Sequence, residues 1–294
     1  MEKVAWILRK CSFRLVTING GYFIGMLLIR FGRILRKQYY KKKGTTSSIR
    51  QVRVLNSINM EVDLANYMGG CLFWFGMHHV NEIIYFNSIL KPHFTFIDVG
   101  ANQGEFSLFA ATKLVNGKVI SFEPVQKQLN LLRTNIELNR FNNIKVNSYG
   151  LSDKRGELPI YTSTNADSNF GVHEGLSSLF KSDSRNELEQ LVSLKVFDEE
   201  YFETLKRFDV LKIDIEGAEL YALKGMQKSL KKFKPVILIE INNETFTEAG
   251  YGTKDILDFF NQLGYTPFRI YRGNILKISY SDFEVWGNYI FKVI

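Results

Sequence analysis

Residues 94–104 read Phe94-Thr95-Phe96-Ile97-Asp98-Val99-Gly100-Ala101-Asn102-Gln103-Gly104, a compact apolar run that ends in a glycine-rich turn. The run predicts a buried strand, and the apolar face of Phe106, Phe109, Ala110 and Leu114 that follows predicts a helix over 105–115. The same alternation recurs downstream. Strands are expected at 118–123, 144–151, 210–215, 235–241, 265–271 and 286–293, with helices between most of them. Strands alternating with helices through short turns predict an α/β fold with a largely parallel sheet and helices on both faces. In such sheets ligands sit at the carboxyl ends of the strands, so the strand-end residues are the candidates for chemistry.

Asp98 closes the first strand, where a carboxylate without partners is costly. The glycines that follow are spaced GxxxG, with Asn102 between Gly100 and Gly104. A dinucleotide fingerprint would read GxGxxG, so the wider turn fits a ligand without a pyrophosphate; a plain structural turn is the alternative. The second strand ends Phe122-Glu123-Pro124, placing Glu123 where a ribose would be held. The third leads into Gly150-Leu151-Ser152-Asp153, in which Asp153 either meets an adenine amino group or caps a turn. The fourth gives Lys212-Ile213-Asp214-Ile215-Glu216-Gly217-Ala218-Glu219. Strand alternation sends Lys212, Asp214 and Glu216 to one side, and three charged groups at one edge of a central strand point to a site.

Together DVGANQG, FEP, GLSD, LKIDIEGAE and Ile239-Glu240-Ile241 resemble the FkbM family of methyltransferases, over about Val80 to Val293. The resemblance implies a Rossmann-like seven-stranded methyltransferase fold with its last strand antiparallel. It also implies S-adenosylmethionine as cofactor and O-methylation of a hydroxyl on a sugar, glycan or related natural product. By position, Asp98, Gly100, Asn102 and Gly104 would line the methionine end of the cofactor. Glu123 would bind ribose, Asp153 would lie near adenine, and Asp214 and Glu216 would lie at the reaction centre. His79-Val80-Asn81-Glu82 falls where the family often carries an acidic residue before the first core strand, and Gly175-Leu176-Ser177-Ser178-Leu179 resembles a family segment near the substrate pocket.

Methyl transfer to oxygen benefits from a base, for which Asp214 or Glu216 is the expectation and His79 and His173 are the next candidates. No metal-ligand spacing such as HExxH occurs, and no metal site is expected; a magnesium ion held by Asp214 and Glu216 is the alternative. The two cysteines, Cys11 and Cys71, form no CxxC pair, which fits a reducing, cytoplasmic setting. Two rival readings stand beside the enzyme: a nicotinamide oxidoreductase, disfavoured by the glycine spacing, and a catalytically silent methyltransferase-fold protein that binds a membrane or partner.

The charge is unevenly placed. The net +8 comprises +12 over residues 1–53, where 13 Lys and Arg face one acid, and −4 over the remainder. The chain divides into a basic hydrophobic arm (1–48), a small β-rich element (49–90, with Gly69-Gly70 as a turn) and a methyltransferase domain (91–294). The arm's 15-residue charge-free stretch, Leu15 to Ile29, is short for a transmembrane helix and no signal peptide is expected. Basic residues interleaved with Phe31, Ile34, Leu35, Tyr39 and Tyr40 fit a helix on an anionic bilayer; a helix packed on the domain is the alternative. No nucleic-acid module is recognisable, so nucleic acid is not an expected partner. Residues 154–190 are expected to be an irregular insertion, and Asp198 to cap a helix that carries Lys206 and Arg207 in its last turn.

Overall fold

The computed structural model describes the chain except residues 1, 19, 44–47, 56, 163–165, 168–170, 173–176 and 184; of 2, 43, 166, 167, 171, 172 and 280 only the backbone is described. His173, Gly175 and Leu176 therefore lie outside the described residues, as do residues 44–47 at the end of the arm.

The basic arm forms a helical hairpin, α1 (Glu2–Thr17) and α2 (Tyr22–Lys43). Next come an antiparallel pair, β1 (Ile49–Val54) and β2 (Ile58–Asp63), and two helices, α3 (Tyr67–Phe75) and α4 (Val80–Ile89). The hairpin packs on α3, with Ala5, Leu8, Phe13, Val16 and Ile29 buried. Two buried arginines tie it down: Arg9 donates to the carbonyl of Phe73, and Arg36 to that of Tyr67 at 3.2 Å. The element after the arm is thus half helical. Gly69 and Gly70 are not a turn but the buried inner face of α3. A Cβ on Gly69 would lie 2.1 Å from the carbonyl oxygen of Asp63, so glycine is required for the helix to touch β2.

The main body follows as β3 (Thr95–Val99), α5 (Glu105–Lys113), β4 (Lys118–Phe122), α6 (Gln126–Asn139) and β5 (Ile144–Asn147). A small insertion holds β6 (Gly150–Leu151), β7 (Gly156–Thr162), β8 (Ala166–Asp167), β9 (Gly171–Val172) and β10 (Glu187–Lys195). The segment expected to be irregular therefore contains strands, with β10 pairing with β7 and β6. Then come α7 (Phe197–Tyr201), β11 (Val210–Ile213), α8 (Glu219–Gly225), α9 (Gln227–Phe233), β12 (Val236–Asn242), α10 (Asn243–Glu248), α11 (Thr253–Gln262), β13 (Thr266–Tyr271), β14 (Asn274–Lys277) and β15 (Trp286–Lys292).

The sheet order is β14-β13-β15-β12-β11-β3-β4-β5. Strands β12, β11, β3, β4 and β5 run parallel, and β15 is antiparallel between β12 and β13. This is the expected Rossmann-like methyltransferase topology with its last strand antiparallel. An eighth strand, β14, is added at the edge because residues 271–274 turn back as a hairpin. Burial on both faces accounts for the continuous apolar strands. Phe96, Val210 and Leu238 pack toward α5 and the α3–α4 side; Ile97, Leu211 and Ile237 pack toward α7, α8, α9 and α11. Each fully buried large side chain contributes about 1.5–3 kcal/mol of transfer free energy.

Asp198 does not cap its own helix, which ends at Tyr201, before Lys206 and Arg207. Its carboxylate instead accepts from Lys228 N at 2.7 Å and from Ser229 N at 3.0 Å and Oγ at 2.6 Å. It thereby satisfies orphan amides at the start of α9.

Candidate active site

The chain leaves β3 toward β4 on one side of the sheet, and returns through β11 on the other. The crevice at this switch point holds a cleft of about 700 Å³ with its open mouth included. Gly100, Asn102, Glu123, Asp214 and Glu216 line it, with Leu151, Ile160, Leu179 and Leu194 as apolar wall.

Gly100 has φ +78°, and a Cβ there would lie 2.1 Å from the Asp214 carbonyl oxygen, so the β3 turn can meet the β11 loop only as glycine. Asn102 takes φ +50°, a conformation that Asn tolerates better than most residues. Glu123 is buried and accepts from Asn102 N at 2.7 Å and Val125 N at 2.9 Å, one amide per oxygen. Each oxygen keeps a second lone pair for a ligand hydroxyl. Burial pushes this carboxyl up to about 7, against the pull of those two amides.

The β11 loop is held in a strained form. Glu216 sits at φ +53° before Gly217 at +104°, a cost that marks functional loops. Glu219 clamps the loop by accepting from Ile215 N (2.7 Å) and Gly217 N (2.9 Å), and Ser178 Oγ donates to the Glu216 carbonyl at 2.6 Å. Arg185 reaches Glu216 at 3.2 Å and also pairs with Glu248. Burial and the neighbouring Glu240 charge hold Glu216 well above the usual carboxylate range.

Three of the expected cofactor-binding residues, Asp98, Gly104 and Asp153, do not line the cleft, and His79 lines a larger cavity beside it. Asp98 is fully buried beneath the cleft, accepting from Ser107 Oγ at 2.5 Å and facing Lys212 Nζ at 3.7 Å. Lys212 also donates to the Gly100 carbonyl at 2.7 Å and pairs with Asp214 at 3.6 Å, bracing the two strand ends. Burial pulls the Lys212 pKa down, but the charges of Asp214, Asp98 and Glu123 outweigh it and the ammonium is retained. Gly104 opens α5, where a Cβ would strike Leu108 and Leu132; its role is packing. Asp153 is exposed, and among the described residues only Ser152 Oγ hydrogen-bonds to it, at 3.3 Å.

A second, larger cavity, about 1850 Å³ with its open mouth included, adjoins the cleft and shares Gly100, Asn102, Asp214 and Glu216 with it. His79, Glu105 and Glu240 line it, as do Met26 and Arg33 of α2. His79 Nδ1 and Glu105 Oε2 are 2.8 Å apart. Burial pulls His79 down, and the Glu105 hydrogen bond and charge more than reverse this, leaving it above its ordinary value. Its neighbour His78 is pushed the other way, to about 3, by burial and by His79. Single donor atoms of Asp214, Glu216 and Glu240 fall within 4.8 Å of one another, as do those of His78, His79 and Glu105, so either trio has the donors to hold a cation.

The FkbM methyltransferase domain matches residues 98–267. The chain belongs to this family of methyltransferases. Methyltransferase sdnD of Sordaria araneosa is 32% identical over 155 residues, covering 45% of this chain and 60% of that protein. Methyltransferase 1 of Beauveria bassiana is 25% identical over 142 residues, covering 44% and 57%. The chain thus matches less than two thirds of the length of either relative. Among solved structures, Methyltransferase FkbM from Methylobacillus flagellatus shares 16% identity, with 88% of this chain and 58% of that one covered and a TM-score of 0.42.

Glu105, Glu240, Arg33 and Met26 were missed in the sequence. Glu240 lay in a motif used only for the family resemblance, and Glu105 reads as an ordinary first-turn acid of α5. Nothing local ties the arm to a cavity formed by residues 200 positions away.

Proposed function

We propose that this FkbM methyltransferase binds S-adenosylmethionine in the smaller cleft and methylates a hydroxyl of a sugar, glycan or related natural product in the larger cavity. One observation carries the reading: the two cavities meet at Gly100, Asn102, Asp214 and Glu216. A donor in one and an acceptor in the other would face each other there. The cleft fits the cofactor by its own chemistry. Glu123 keeps acceptor capacity for two ribose hydroxyls, the glycine turn admits close approach, and the acidic rim favours a positive charge. The cofactor, when bound, supplies an activated methyl group on a sulfonium.

The protein's part is alignment and proton removal. His79 is the base in this reading. Its Nδ1–H donates to Glu105, which leaves Nε2 as the free acceptor for an acceptor hydroxyl. Glu216 is held by Arg185 and Asp214 by Lys212, so both fix the β11 loop where the two cavities meet. A cytoplasmic setting, with the hairpin attached peripherally to a membrane, completes the reading.

The test is calorimetric titration with S-adenosylhomocysteine and NAD, followed by incubation with labelled S-adenosylmethionine and fractionated host glycans and small molecules. Binding of S-adenosylhomocysteine, no binding of NAD, and label in a base-stable ether support the proposal. Binding without transfer to any fraction favours the silent protein, and label on nitrogen or carbon removes the O-methyl assignment.

A further inference from the structure

The α1–α2 hairpin buries one face against α3 and leaves the other open. That open face concentrates apolar surface. Nine of the 19 exposed large hydrophobic residues among those described lie on residues 4–34. Trp6 and Ile7 on α1 are each 52% exposed; Phe23, Leu27, Phe31 and Ile34 on α2 are 71%, 48%, 48% and 50% exposed. A polar domain surface ordinarily scatters such residues singly.

Beyond Glu2 at its start, the charge on the same hairpin is of one sign. Residues 3–42 carry ten Lys and Arg and no acid. Arg9 and Arg36 are buried, whereas Lys3, Lys10, Arg14, Arg30, Arg33 and Lys41 are exposed. No helix among the described residues is long and apolar enough to cross a membrane.

We infer that the open face of the α1–α2 hairpin docks on a bilayer bearing anionic phospholipid headgroups. Apolar side chains enter the boundary between headgroups and acyl chains, and the basic side chains beside them meet the phosphates. A second copy of the chain would bring the same cationic surface against itself, which charge complementarity disfavours. The buried Arg9 and Arg36 anchors fix the hairpin to the body, so docking orients the whole protein. Helix α2 also supplies Met26 and Arg33 to the larger cavity, which places the bilayer roughly one helix diameter, about 10 Å, from that cavity. The docking does not depend on the methyl-transfer reading.

Co-sedimentation of the full chain with phosphatidylcholine vesicles, with and without phosphatidylglycerol, tests this. The expected result is binding that needs phosphatidylglycerol and weakens in high salt. It should fall roughly tenfold or more both in Phe23→Ser/Phe31→Ser and in Arg14→Glu/Lys41→Glu. Circular dichroism melting establishes that each variant is folded, and the wild-type comparison of the two vesicles stands without them. Absence of binding to phosphatidylglycerol vesicles overturns the inference, as does equal binding to both vesicle types. So does a dimer in light scattering that Phe23→Ser/Phe31→Ser dissociates.

Discussion

The carboxylate of Glu105 lies 2.8 Å from Nδ1 of His79, across 26 residues of sequence, and also accepts the backbone amide of His78 at 2.6 Å. A buried carboxylate bonded to one ring nitrogen fixes the imidazole tautomer and raises its basicity. The pair sits in the larger cavity with the β11 loop carboxylates, and the smaller cleft adjoins it.

His79→Ala is expected to lower the single-turnover rate of methyl transfer by about 10²–10⁴-fold, with S-adenosylhomocysteine affinity unchanged in calorimetry. An unchanged rate removes His79 as base.

Glu105→Gln takes away the charge that raises His79. The rising limb of the pH–rate profile, expected above 6.5 in the wild type, should move to lower pH. A limb that stays in place means that another group titrates.

Glu123→Ala should weaken S-adenosylhomocysteine binding about 10- to 100-fold, the size of one or two hydrogen bonds to a charged group. Leaving the Asn102 and Val125 amides without their acceptor adds a modest fall in melting temperature. Wild-type affinity in a folded variant counts against the ribose assignment.

Burial raises both Glu123 and Glu219 to about 7 from an ordinary 4.5. A group raised on folding contributes stability that is full below its unfolded value and is lost as pH rises through its folded value. The ligand-free protein should therefore lose stability between pH 4.5 and 7, by up to about 1.4 kcal/mol per pH unit per group. Denaturant unfolding at stepped pH checks this, and Glu219→Gln should reduce the slope. Stability that increases over that window contradicts it.

Gly69→Ala places a methyl group 2.1 Å from the Asp63 carbonyl oxygen. Overpacking of this kind costs roughly 1–3 kcal/mol, read as a drop in the thermal midpoint. A neutral outcome means that α3 shifts away from β2 freely.

The legible parts of the site were those in which chemistry and chain direction coincide. Gly100, Asn102, Glu123, Asp214 and Glu216 each follow a parallel strand, and parallel strands deliver their ends to one rim, so these five could be named from local sequence. Asp98 and Gly104 share that turn but point into packing, a distinction that needs the positions of Lys212, Leu108 and Leu132. The Gly69-Gly70 pair looks like a turn because glycine disfavours helices; the close approach of β2, invisible locally, outweighs that propensity.

By itself the sequence determined the strand–helix alternation, the acidic and glycine-rich strand ends, the family and the basic arm with its charge-free middle, because each is written in runs of neighbouring residues. Tertiary structure alone decided that Glu105 reaches His79, that Arg185 holds Glu216, and that α2 walls the larger cavity. Those pairings join segments far apart in the chain, and the order in which the sheet is assembled, not any local preference, sets which of them meet.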